Sequence, residues 1–204
     1  MKGQDILLLL TLSNLRRGGQ PAPVGVAAFG ARSEDAAPKY HAVTPAGPAA
    51  EPVNVRNLAS KTGLSKSEVS LAMRRCLEAG LAAPDAKTGI FMPVSRNLLE
   101  FLIHGLKYAF PAKLGPVMRG IPTAFAAPVL DGKLMSAGEL IPVWADGLGQ
   151  HKGQSIEPLY KTAPQAALKD EHLYALLALV DSIRLGSARE AGIAAEMLKE
   201  RLSS

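Results

Sequence analysis

The stretch LASKTGLSKSEVSLAMRRCLEAGL, residues 58–81, leaves this chain few local choices. Gly63 is the residue type that closes a tight turn with positive φ, and the helix before it must stop there. Two residues later, Ser65 and Glu68 have the spacing of a capping box, in which each side chain satisfies the other's free backbone N–H. A second helix therefore starts at Ser65. The 3.6-residue period predicts helices over 54–62, with Asn54 as N-cap, and 65–78, ended by Gly80. In the first, Val55, Leu58 and Ala59 face inward. In the second, Val69, Ala72, Met73, Cys76 and Leu77 form the buried stripe. Left outside are Lys66, Ser67, Ser70, Leu71, Arg74 and Arg75. Hydroxyls and cations on one helix face suit a major groove, where the helix N-terminus meets base edges and flanking Lys and Arg meet phosphate.

What flanks these helices extends the pattern. Residues 2–15 read as a helix with Ile6, Leu7, Leu10 and Leu15 on overlapping faces. LAAPDAKTGIFMPV, starting at Leu81, reads as two short extended runs around a turn containing Asp85, Lys87 and Gly89. Pro93 cannot donate a ladder bond, which places the returning strand at an edge. The run from Ala59 to Gly63 and Leu64, then Val69 and a small residue at 72, resembles the helix-turn-helix of bacterial regulators. With residues 2–15 in front and the strand–turn–strand behind, residues 2–15 and 53–95 resemble the winged-helix form of MarR-like regulators. That resemblance implies a DNA-facing set of Lys66, Ser67, Ser70, Arg74, Arg75 and, in the wing, Lys87. One departure is the long segment 16–52, where relatives join their first two helices by a short loop.

Charge leans the same way. The net charge is +5, and it is uneven: residues 1–119 carry 15 Lys/Arg against 8 Asp/Glu, and residues 120–204 carry 8 against 10. A basic front joined to a mildly acidic rear fits a nucleic-acid-facing part coupled to a part that faces something else. An excess of this size is also common in proteins that never touch nucleic acid, so it adds to the helix pattern and does not replace it. The single cysteine, Cys76, matches no zinc spacing and can form no internal disulfide, which points to a reducing cytoplasm. ILLLLTL near the start is shorter than the roughly 18 apolar residues of a membrane span, and Asp5 sits where a leader would be basic.

The remainder is less informative. Residues 16–52 are dominated by Gly, Pro and Ala with few large apolar anchors, so they are expected to form a mobile insert. Residues 96–110 predict a helix apolar almost all round, interrupted only by the stripe Arg96, Glu100, His104 and Lys107. Such a helix is buried on two sides, in a core or between subunits. Residues 111–165 contain β-like pieces, PTAFAAPVL and LIPVW, without a readable topology; GLGQHKGQS at 147–155 reads as a surface loop, and 119–128 as a lining for an effector pocket or a partner surface. A helical hairpin closes the chain, over 170–185 and 187–202, broken at Gly186 and restarted by a second capping box at Ser187 and Glu190.

Chemistry is sparse. His41, His151 and His172 lack metal-site spacing, Asp131, Asp146 and Glu157 have no stated reason to meet, and Cys76 lies on a buried stripe. Neither a nucleophile elbow nor a phosphate-cradling loop is present in the sequence. The expected protein is therefore α+β, mainly α: a winged helix-turn-helix domain over 1–95 with an insert at 16–52, and a dimerisation, effector or partner-binding region over 96–204. The expected function is sequence-specific binding of double-stranded DNA by a cytoplasmic homodimeric transcriptional regulator, with an antitoxin-like repressor as one form. No enzyme, cofactor, metal or membrane role is expected, and a small-molecule effector or protein partner stays open. The alternative is a winged-helix interaction scaffold that never touches DNA.

Overall fold

The computed structural model describes residues 1–16, 54–86, 89–133 and 140–203. The expected insert at 16–52 therefore lies outside the described residues, apart from Arg16, which ends the first helix. At the centre is that helix, α1 (Gly3–Arg16), with every residue from Gln4 to Leu12 buried. It packs against α2 (Val55–Thr62), α3 (Lys66–Glu78), β2 (Phe91–Pro93) and α7 (Glu171–Leu185). ILLLLTL is apolar because it has protein on all sides. Each fully buried leucine contributes about 1.5–3 kcal/mol of transfer free energy relative to exposure.

The expected turn between α2 and α3 is present. Asn54 Oδ1 accepts from the Asn57 N–H at 2.9 Å, and Gly63 ends α2 at φ 69°. Its missing Cβ also leaves room for Thr162, whose own Cβ would stand 3.2 Å away. Both arms of the capping box form, Ser65 N–H to Glu68 Oε2 at 2.9 Å and Glu68 N–H to Ser65 Oγ at 3.2 Å. The buried stripe of α3 is Val69, Ala72 and Cys76, with Met73 half-buried. Leu77, expected inside, is exposed: the helix ends one residue later, and the chain turns away at Gly80 before its side chain meets the core.

Next come β1 (Ala82–Pro84) and β2, paired antiparallel with Ala82 opposite Pro93 and Pro84 opposite Phe91. Two strands make two edges, so Pro93 removes no inner ladder bond. The predicted helix over 96–110 is observed as α4 (Ser95–Glu100), a π-helical turn over Phe101–Gly105, and α5 (Leu106–Ala109). Within the single chain one side of it is fully buried. Leu98, Leu102 and Leu106 are fully buried, whereas Leu99, Phe101 and Ile103 are half-buried and Tyr108 is exposed. Its apolar stripe belongs to the core of a single chain, so a charge at Leu102 or Leu106 attacks folding and reports nothing about assembly.

Residues 111–165 contain the topology that sequence patterns leave unread. β3 (Leu114–Pro122), β4 (Ile141–Ala145) and β5 (His151–Ile156) close into a three-stranded barrel. β3 runs antiparallel to both partners, and β4 and β5 are parallel neighbours. Part of the stretch expected as a surface loop is thus β5, with Gly153, Ser155 and Ile156 buried. The β-like PTAFAAPVL instead contributes the end of β3 and two 3₁₀ turns, Ala124–Ala126 and Pro128–Leu130, whose Ala124 and Leu130 are buried. Only residues 146–150 return the chain from β4 to β5. They fit because Gly149 lies on the backbone of Gly120, where a Cβ would come within 2.5 Å of three backbone atoms.

α6 (Ala163–Ala167), α7 and α8 (Ala188–Leu202) complete the chain. The second capping box is in place, with Ser187 N–H to Glu190 Oε2 at 2.6 Å. The overall class is α+β, mainly α, and one hydrophobic cluster runs from Ile6 through Val69, Leu102 and Trp144 to Leu202. Among the described residues no helix is long and apolar enough to cross a membrane.

Candidate nucleic-acid interface

The outer face of α3 is presented by a frame that is fixed at both ends. At its N-terminus the capping box fixes the first turn, and the Tyr160 hydroxyl donates to Glu68 Oε1 at 3.1 Å. At its C-terminus Leu81 N–H reaches the Cys76 carbonyl at 3.0 Å, and Asn97 Nδ2 donates to the Gly80 carbonyl at 2.8 Å. The two Ser65 contacts, then Tyr160, hold the Glu68 carboxyl below its ordinary value. Burial, with Glu68 next to it, pushes the Tyr160 phenol up.

Between these anchors, Lys66, Ser67, Ser70, Leu71 and Arg74 are exposed. Ser70 Oγ donates to the Lys66 carbonyl at 3.0 Å, which leaves its lone pairs facing out as acceptors. Leu71 is 52% exposed in the middle of the face. A leucine there offers nothing to water and matches an apolar group such as a thymine methyl.

Arg75 does not belong to this set. Its guanidinium turns inward and grips Asp5 of α1, with Nε 2.9 Å from Oδ2 and Nη2 2.5 Å from Oδ1. Asp5 is fully buried and the Arg75 side chain is 23% exposed. A buried carboxylate is costly unless paired, so this arginine is held by the fold and is not a free phosphate donor. The reason it misleads is periodicity: position 75 lies on the boundary of the buried stripe, and the partner sits 70 residues away. Lys87 lies outside the described residues.

The remaining candidates do not converge. His104 Nε2 is 3.6 Å from Glu100 Oε2 on an exposed helix face. Among the described residues no three His, Cys, Asp or Glu side chains are placed to hold a metal ion; His41 lies outside them. Cys76 is buried against the Asp5 carbonyl, and burial pushes its thiol up to about 12. Such a thiol is protonated and unreactive at neutral pH.

A buried polar cluster lies away from α3, at a place no motif in the sequence singles out. Asp181 of α7 accepts from Trp144 Nε1 at 2.6 Å, Thr123 Oγ1 at 3.0 Å and Arg184 Nη1 at 2.6 Å. Arg184 also donates to the Phe110 and Glu157 carbonyls, at 2.8 and 3.2 Å. Both charged side chains are almost wholly buried, at 1% and 4% exposure. Asp181 binds Trp144 and Thr123 of the barrel region on one side and Arg184 of its own helix on the other, so the cluster is a bolt between the barrel and α7. One signal was available: an acid in the apolar run YALLALVDSIRL, three residues before an arginine. Comparison with protein-family models, curated proteins and solved structures finds no match.

Proposed function

We propose that the protein is a sequence-specific double-stranded DNA-binding transcriptional regulator of winged helix-turn-helix type, resembling MarR-like regulators. The observation that carries this reading is the outer face of α3. Lys66, Ser67, Ser70, Leu71 and Arg74 stand exposed on a helix whose two ends are capped, anchored and backed by a buried central helix. A groove reader needs that combination, because side chains specify bases only when their helix is held in register. The two-stranded β1–β2 unit takes the place of the wing. One recognition helix reads few base pairs, so the working unit is a homodimer on two half-sites.

Residues 96–204 are assigned the effector or partner surface, as in an antitoxin-like repressor. The support is an exposed first half of β3, where Leu114, Val117 and Met118 face solvent. A second reading, a docking scaffold that never touches DNA, is favoured by one fact: Leu71, Leu77 and Ile90 are apolar and exposed around α3 and the β1–β2 turn.

Salt separates the two. DNA binding through phosphates weakens by roughly 0.9 log unit of affinity per log unit of salt for each phosphate neutralised. Arg74→Ala should weaken binding to all sequences and flatten that slope, whereas Lys66→Ala or Ser70→Ala should shift the preferred sequence at a cost of about 1–3 kcal/mol. Equal affinities across these folded variants and the parent would favour the scaffold.

A further inference from the structure

The proposed DNA face, on which this inference rests, is joined by a segment from the far half of the chain. Between β5 and α6 the backbone returns to the helix–turn–helix. The Tyr160 hydroxyl donates to Glu68 in the first turn of α3 at 3.1 Å, and Thr162 Oγ1 donates to the Thr62 carbonyl at the end of α2 at 2.7 Å. These two bonds fix the residues on either side of Lys161. Lys161 itself is exposed, with Nζ 6.0 Å from the centroid of the Tyr160 ring. Among the described residues it makes no ion pair.

We propose that Lys161 is a phosphate-contacting residue of the DNA surface, and that Tyr160 and Thr162 are positioning residues that hold it beside the N-terminal end of α3. The electrostatics of that end favour such a cation. Glu68 is needed for the capping box, yet its carboxylate would stand near the DNA backbone and repel it. Its oxygens are occupied by the Ser65 N–H and the Tyr160 hydroxyl, neither of which carries a charge. Lys161 is the cation close enough to act on Glu68. It offsets the acid in the free protein and can bond a phosphate in the complex, where Lys66 alone would face both.

The test is a salt titration of affinity by fluorescence anisotropy, using a labelled random-sequence duplex a little over two helical turns long. Wild-type protein should show a linear fall of log affinity with log salt. Lys161→Ala should make that slope shallower by about 0.9 with no change in preferred sequence, the mark of one lost phosphate contact. Lys161→Arg, which keeps the charge, should restore the wild-type slope. If Arg74→Ala flattens the slope and Lys161→Ala does not, Lys161 is not a DNA contact and the DNA reading stands. If the wild-type protein shows no salt-dependent binding, both fall together. Lys161 is exposed and acts on Glu68 more weakly than Ser65 or Tyr160 does, so closely similar melting curves for the three proteins are expected and confine any large difference to binding.

Discussion

Two regions of this molecule are each closed by one aspartate–arginine pair, and they are encoded differently. Around α2, α3 and the β1–β2 hairpin, nearly every boundary is set by neighbours in sequence: Asn54, Gly63, Ser65 with Glu68, and Gly80. The long-range ion pair there is Asp5–Arg75, whose arginine still reaches water. Around the barrel and α7 the balance is reversed. Strand pairing there joins residues far apart in sequence, the return between parallel neighbours is five residues long, and the Asp181–Arg184 pair is sealed from solvent with Trp144 and Thr123 attached. The difference teaches that the same ion pair is a surface clasp in one place and an internal bolt in the other. Burial sets which, and so sets what its loss costs.

The largest effect should come from the sealed pair. Asp181→Ala leaves the Arg184 guanidinium buried and also orphans the donors of Trp144 and Thr123. Breaking such a pair costs about 3–5 kcal/mol, a large share of a domain's total stability. Urea denaturation measures it, and Trp144, the only tryptophan, reports locally through a red shift of its emission. A loss under about 1 kcal/mol, the range of exposed pairs, would mean that water enters the cluster, and the contrast with Asp5–Arg75 would be reversed.

The clasp should respond asymmetrically. Removing Arg75 leaves a fully buried Asp5 carboxylate that keeps the Lys2 N–H, at 2.8 Å, as a backbone donor. Removing the charge of Asp5 frees an arginine that can turn to water. Arg75→Ala is therefore expected to cost roughly 2–3 kcal/mol and Asp5→Asn roughly 1 kcal/mol by denaturation. Arg75→Ala should also leave the salt slope of DNA binding unchanged where Arg74→Ala flattens it. Equal costs for the two variants would show that both charges are equally solvated in the folded protein.

The same comparison explains what was legible in the sequence. Helix ends, capping boxes and the β1–β2 turn depend on residues a few positions apart, and each was placed from such spacings. The role of Arg75 was not, because helical period gives a face but not a partner, and Asp5 lies on another helix. The barrel was hidden for a related reason. Parallel neighbours ordinarily need a crossover of a dozen or more residues, and here the Gly120–Gly149 approach lets a short return suffice. The helix expected over 96–110 is apolar almost all round in sequence, and composition does not distinguish half-burial against one's own chain from burial against another. Of the proposed interface, the exposed residues of α3 are readable in sequence, whereas Tyr160, Lys161 and Thr162 come near α3 only through the fold.

The smallest expected effect lies where the two regions touch, at Glu68. Its carboxyl is held below the ordinary value of 4.5 by the Ser65 N–H and hydroxyl, then by Tyr160 and Lys161. A folded-state pKa below the unfolded one means that the unfolded chain binds the proton more readily. The stabilisation is therefore fully present above 4.5 and is lost as pH falls through the lowered value. Glu68→Gln keeps an acceptor for Ser65 and Tyr160 but cannot titrate. Melting temperatures of the two proteins should differ most between neutral pH and 4.5, with the parent higher, and should converge below that. The comparison isolates Glu68, since every other carboxylate is common to both proteins. A constant difference across the whole range would show that the α3 cap and its link to Tyr160 hold without the charge. The local and long-range halves of this junction would then be joined by neutral hydrogen bonds alone.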